Sequence, residues 1–173
     1  VRHRGESGIY FLGEWLSNRI GVRLGPITFG LPYRAGRMEY HHAPGEGTLQ
    51  GSVRSVQSGE QLKYESGIEA DAEPGVCAAG SLDEFLLERY TAFTAYGSRR
   101  QYFRIWHEPW LQTPVGVEVT DCSLVSSVWP WFSSARLVGG NYSSGARDVW
   151  MGWPHRIRET DAPRKLKVFF DLP

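Results

Sequence analysis

The stretch GSLDEFLLERYTAFTAYGSRRQYFRIWHEPW, from Gly80 to Trp110, governs the reading of this chain because it holds a helix start, a turn and a strand in succession. Ser81 followed three residues later by Glu84 is a capping-box pattern, in which hydroxyl and carboxylate satisfy the free N–H groups of a first helical turn. It predicts a helix over Ser81 to Phe93 that starts at Leu82, runs through Phe85, Leu86, Arg89 and Tyr90, and packs on the outside of a sheet. Gly97 and Ser98 break it. From Arg99 the residues alternate, with Tyr102, Arg104, Trp106 and Glu108 on one side of a strand and Phe103, Ile105 and His107 on the other, until Pro109 ends the pairing.

Working outward, Val1 to Arg4 and Gly8 to Leu12 read as extended pieces around a turn. Glu14 to Val22 has the spacing of a short helix with Trp15, Leu16 and Ile20 inward, closed by Gly25 and Pro26. Leu31 to His41, Glu46 to Val56 and Gln61 to Ile68 read as a β-meander, separated by the turn clusters APGEG and QSGE. Asp71 to Gly80 is a loop, and Val115 to Val119 a further strand. Pro130 excludes a continuous helix or central strand over Leu124 to Phe132, which reads as irregular or as a short helix. Asp148 to Gly152 is expected to be a short strand, Lys167 to Phe170 a strand or docked tail, and Glu159 to Arg164 exposed.

Composition narrows the function classes. The 173 residues, 41% hydrophobic and 13% aromatic, suffice for one core and ask for no second domain. Nineteen basic residues balance nineteen acidic ones, which leaves no general field for a phosphate backbone or an anionic membrane. Nucleic acid and membrane are therefore not expected as partners. Twenty Gly and ten Pro favour short strands and many turns, hence a mainly β (α+β) architecture. Cys77 and Cys122 are far apart and lack metal-ligand spacing, which fits a reducing cytoplasm. No apolar run approaches the roughly 20 residues of a membrane span, and no signal-peptide pattern is present. The first residue is Val1, and strand-like sequence follows at once, so an upstream segment is expected.

Several segments in order, SGIYFLGEWLSNRIGV, GLPYRAGRMEY, SLDEFLLERYTAFT and FRIWHEPW, resemble the YqjF-like proteins, the uncharacterised family of domain of unknown function 2071, placed in the acetoacetate decarboxylase-like superfamily. The late DVWMGWPHR resembles one branch of it. The resemblance covers about the first two-thirds of the chain and implies one domain, an antiparallel β-barrel or cone with a few external helices around a small-molecule-sized cavity. It also implies a further N-terminal stretch ahead of Val1. It does not carry a reaction, since a shared fold does not transfer a site.

The decarboxylase relatives form a Schiff base on a lysine whose pKa is lowered by burial and a nearby cation. Only Lys63, Lys165 and Lys167 are present, and none matches that lysine's motif. In QLKYESGI, Leu62 and Tyr64 alternate with Lys63 and Glu65, which places Lys63 on a solvated face, with a barrel-lining amine as the competing reading.

Other candidates carry the same double reading. His107 and Glu108 suit acid and base chemistry but point to opposite sides of a regular strand, so a hydrogen-bonded corner before Pro109 competes with a catalytic pair. Arg104 shares Glu108's side, where an ion pair is expected. Tyr33, Arg34 and Arg37 form a second cluster. An inward arginine would grip a carboxylate in bidentate fashion, at most one of the two can face inward, and the alternative is pairing with Glu39 or Glu65. Glu88 and Arg89 read as a solvated face or a lock between helix and barrel. His41 and His42 diverge on a strand and His3 and His155 are distant, so no metal is expected. GGNYSSG, at Gly139 to Gly145, lacks a P-loop's lysine and reads as a turn.

The resulting expectation is a binding protein for a small apolar or weakly acidic molecule, with no cofactor and with homo-oligomers allowed. Its ligand-binding candidates are Tyr33, Arg34, Arg37, Tyr64, Arg104, Trp106 and Trp110. The alternatives are a lyase- or hydrolase-type enzyme acting on a small carbonyl compound through His107 or Glu108, and a structural or oligomerising domain.

Overall fold

The computed structural model describes residues 2–3, 5–69, 71–145 and 147–158. The segments Glu159 to Arg164, expected to be exposed, and Lys167 to Phe170, expected to be a strand or docked tail, lie outside them, as does Lys165. In chain order the elements are β1 (Arg2–His3), β2 (Glu6–Ser7), β3 (Ile9–Tyr10), β4 (Glu14–Leu16), α1 (Arg19–Thr28), β5 (Tyr33–Ala43), β6 (Thr48–Ser55), β7 (Gln61–Gly67) and α2 (Leu82–Leu87). There follow β8 (Thr91–Tyr96), β9 (Arg99–Trp106), β10 (Thr113–Asp121), α3 (Ser123–Val128), β11 (Gly140–Tyr142), β12 (Trp150–Met151) and β13 (His155–Arg156).

The architecture is mainly β, with a curled half-barrel sheet and few helices. Six strands join in the order β11-β10-β7-β6-β5-β4, and a second sheet runs β12-β9-β8-β3 with β13 also paired to β9. The meander over β5, β6 and β7 is antiparallel, as its turn clusters require. Two short pairs are instead parallel, β4 with β5 and β3 with β8, so the N-terminal segment stitches the two sheets together.

Two helix expectations are corrected. The Ser81 cap is present, its hydroxyl accepting the Glu84 N–H at 3.0 Å, while the Glu84 carboxylate accepts the Gly80 N–H at 2.6 Å. The helix nevertheless ends at Leu87 rather than Phe93, because Thr91, Ala92, Phe93 and Thr94 are buried as strand β8. With Tyr96 opposite Arg99, Gly97 and Ser98 form a two-residue hairpin loop, and Gly97 takes the positive φ (57°) such a turn needs. Pairing along a whole hairpin outweighs the extra helical turn. The α2 residues Leu82, Phe85 and Leu86 are exposed, and the helix is held by polar anchors such as the Asn141 amide donating to Asp83 at 2.9 Å.

The expected helix over Glu14 to Val22 divides at Asn18. Glu14–Leu16 pairs with β5, and the Asn18 side chain accepts the N–H groups of Ile20 (2.9 Å) and Gly21 (3.2 Å) to start α1. Pro26, expected to close the segment, lies inside α1, where only one bond of the ladder is forfeited before the helix ends. Ile20, expected inward, is 70% exposed. Gly25 is the helix's buried residue, its missing Cβ leaving room for the Tyr33 ring.

Leu31, Ala92 and Phe103 form the core, with Ile9, Phe11, Phe29, Tyr33 and Ile105 packed around them. The second sheet is thereby fastened to the end of α1 and the start of β5. Phe29 meets Phe103 edge-on at 5.2 Å, and Thr94 donates to the Phe29 carbonyl at 2.6 Å.

Candidate functional site

Strand register sorts the six-stranded sheet into two chemically different faces. On one, Trp15 stands opposite Arg34, Tyr40 opposite Gly51 and Tyr64, His42 opposite Leu49 and Ser66, and Val117 beyond Ser66. On the other, Glu39 aligns with Ser52 and Lys63, Arg37 with Arg54, and Glu65 with Glu118. The first face is aromatic and apolar with a few polar tips, and the second is charged.

Arg34 is the cation of the aromatic face. Its guanidinium carbon lies 5.8 Å from the Trp15 ring centre and 6.0 Å from that of Trp129, which meets Trp15 edge-on. Arginine stacks well on such rings because its planar cation is weakly hydrated. Neither Arg34 nor Arg37 makes an ion pair among the described residues, and Glu65, a partner foreseen for them, sits 3.9 Å from Lys63. Arg34 opens onto a cavity of about 770 Å³ that Trp15, Tyr33, Glu60, Leu124 and Ser127 also line. Burial raises the Tyr33 pKa, and the nearby Glu14 adds to the effect, so that phenol stays protonated. The hydroxyls of Ser127 and Ser58 hold the Glu60 carboxyl below its ordinary value. Arg37 belongs to the charged face and lines an adjoining recess of about 450 Å³ beside Leu16 and Met38, which shares Val22, Ala35 and Val56 with the Arg34 cavity.

Tyr64 lies on the aromatic face, its hydroxyl 2.8 Å from His42 Nε2. Lys63 is half-exposed on the other face. His41 and His42 diverge as strand alternation requires, His41 near Lys63 and His42 among tyrosines.

The remaining candidates gather elsewhere. Arg104 pairs with Glu6 and donates to Thr91 Oγ1 at 2.7 Å, which corrects the expected pair with Glu108. Trp106 stands opposite Trp150, with Gly152 against its ring. His107 is stacked on Tyr90 at 4.8 Å, and its Nδ1 donates to the Glu108 carbonyl at 2.7 Å, while the Glu108 side chain is exposed. Trp110 donates its N–H to Glu88 at 2.9 Å, and the Tyr90 hydroxyl donates to the same carboxylate. Glu88 is thus the lock between α2 and the exit of β9. Sequence reasoning missed Trp129, His42 and Ser66 as site residues. For the last two the signal was available, since each falls in phase with Arg34 or Tyr64.

Residues 1–129 match the family profile DUF2071, described as "Uncharacterized conserved protein". The chain belongs to the DUF2071 family. A member from Bacillus subtilis (strain 168), "Uncharacterized protein YqjF", is 27% identical over 132 residues, covering 69% of this chain and 48% of that protein. The chain therefore spans about half the length of the curated relative it matches. In this DUF2071 chain the matched region takes in Arg34, every residue named in its cavity and, as its last residue, the Trp129 beside the guanidinium. Among the described residues no helix is long and apolar enough to cross a membrane.

Proposed function

We propose that this protein binds a small, weakly acidic molecule with an apolar body, on a curled sheet of the acetoacetate decarboxylase-like type. The observation that carries the reading is Arg34: a guanidinium set against a pair of indoles, without an acidic partner among the described residues, facing the cavity of about 770 Å³. A cation in such a place is stabilised by an anion that brings its own two oxygens, and the Trp15 and Tyr33 rings of the lining suit an apolar remainder. The cavity size falls in the range typical of small-ligand sites.

Benzoate and its uncharged isostere benzamide test this by calorimetric or ligand-observed NMR titration. Benzoate is expected to bind more tightly than benzamide, and Arg34→Gln to weaken benzoate about tenfold or more, the scale of a lost charged hydrogen bond. Arg37→Gln, on the opposite face, leaves binding unchanged. Equal binding of the two probes, or benzoate binding indifferent to Arg34→Gln, removes the proposal.

A further inference from the structure

The geometry points to a second binding site on the aromatic face, at the end of the sheet away from Arg34, that takes an uncharged molecule through one carbonyl or hydroxyl oxygen. A pocket of about 370 Å³ lies between β5, β7, β10 and β11, with His42, Tyr64, Ser66, Val115, Val117 and Tyr142 in its lining.

Three features make it a built site. The first is the pair of His42 Nε2 and Tyr64 Oη, 2.8 Å apart. Tyr64 reaches His42 because its cross-strand partner is Gly51, where a Cβ would stand 2.5 Å from the Tyr64 hydroxyl oxygen and within 2.7 Å of its ring. The ring thus lies over β6, and its hydroxyl arrives at β5. The second is Ser66 Oγ, two residues further along the same face of β7, which is buried without a hydrogen-bond partner among the described residues. A buried hydroxyl left so bears its desolvation uncompensated, and, with Ser66 in the pocket lining, a ligand oxygen that reached it would relieve this. The third is charge. The pocket lining contains no Asp, Glu, Lys or Arg, so a charged ligand would lose its hydration without gaining a counter-ion.

The His42–Tyr64 pair can serve either polarity of oxygen. With the imidazole proton on Nε2, His42 donates to the phenol and leaves the Tyr64 O–H for a ligand carbonyl. On the other tautomer Tyr64 donates to His42 and accepts from a ligand hydroxyl. Burial raises the Tyr64 pKa, with Tyr40 adding to it, so the phenol keeps its proton. The apolar part of the ligand rests on Leu49, Val115 and Val117. This site shares no lining residue with the Arg34 cavity and does not depend on the acid-binding reading.

The test uses cyclohexanone as the neutral probe and cyclohexanecarboxylate as its charged counterpart, followed by saturation-transfer NMR on the intact chain. Cyclohexanone is expected to bind saturably, to weaken about fivefold in Tyr64→Phe and in Ser66→Ala, the scale of one neutral hydrogen bond, and to be unaffected by Arg34→Gln. Ser66→Ala is also expected to raise the Tm by about 2 °C, since it removes the unpaired hydroxyl. That rise with a loss of binding separates a ligand role from a purely structural one, and the one-atom deletion carries the test if Tyr64→Phe folds poorly. Cyclohexanone binding that is absent, or equal in all variants, overturns the proposal. So does cyclohexanecarboxylate competing as well as cyclohexanone in the Arg34→Gln background. Failure of the benzoate experiment leaves these outcomes untouched.

Discussion

Glu88 Oε1 accepts the backbone N–H of Trp110 at 2.9 Å, joining the end of α2 to a residue twenty-two positions away. The other oxygen of the same carboxylate accepts the Tyr90 hydroxyl. One side chain thereby fixes the helix end, the exit of β9 and the ring on which His107 stacks.

Replacing Glu88 by Ala should destabilise the fold by about 1–2 kcal/mol, since both hydrogen bonds end on an ionised group. The accompanying spectroscopic change is specific. The hydrogen bond to Glu88, then burial, then the carboxylate's charge push the Tyr90 pKa up from 10.0 to about 12. With a pKa higher in the folded than in the unfolded state, the stabilisation is complete below pH 10 and is lost as pH rises through 12. Tyr33 and Tyr64 are raised as well, so an ultraviolet titration should show one phenol fewer ionising late in Glu88→Gln than in the wild type. The same number of late-ionising phenols in both proteins would count against the lock.

Glu14 gives a pH dependence in a different window. Its Oε2 is buried without a hydrogen-bond partner among the described residues, and burial raises its pKa above 4.5. The folded state therefore favours the protonated carboxyl. Its favourable contribution is complete below pH 4.5 and lost as the pH climbs through the raised value. Glu14→Gln, neutral throughout, should gain in melting temperature over the wild type as pH goes from 4 to 7. A difference that stays flat, or shrinks toward neutral pH, would contradict the assignment.

The legible parts of the fold are marked either by turn clusters at their ends or by side chains that alternate along a strand. The clusters APGEG and QSGE bound β5, β6 and β7, and along β7 Lys63 falls on the charged face and Tyr64 on the aromatic one as alternation demands. The end of α2 was illegible because ERYTAF carries both a helical continuation and the β-branched and aromatic residues of a strand, and the hairpin partner decides. For the site, alternation separates Arg34 from Arg37 but does not say which one joins the aromatics. That depends on β4, a three-residue strand whose parallel pairing puts Trp15 beside Arg34. Trp129 arrives from a turn after α3, and Glu6 reaches Arg104 across ninety-eight positions, contacts no local pattern encodes.

Two glycines of α1 should respond oppositely to alanine. Glycine inside a helix costs about 1 kcal/mol relative to alanine, so space alone decides the sign. At Gly21 a Cβ would meet a Leu16 methyl at 3.3 Å, which can give way, and Gly21→Ala should be neutral or stabilising. At Gly25 it would run into the Tyr33 ring, and Gly25→Ala should destabilise by about 1–3 kcal/mol through overpacking. Denaturant melts of the two variants check this, and a stabilised Gly25→Ala would mean that α1 does not sit on Tyr33.

Gly13 tests whether Trp129 positions Arg34. A Cβ at Gly13 would come within 2.7 Å of Trp129 Cη2, the far edge of the indole, which can swing aside at small cost to the fold. Swinging takes the indole from its edge-on contact with Trp15 and from its place over the guanidinium. Cation–π contacts of this kind are worth about 0.5–1 kcal/mol at exposed sites, so Gly13→Ala should weaken benzoate by about two- to fivefold while the denaturation midpoint changes little. Arg34→Gln combined with Gly13→Ala should be no worse than Arg34→Gln alone, because the glycine acts only through the arginine. Independent losses in the double variant would instead mean that Trp129 contacts the ligand directly.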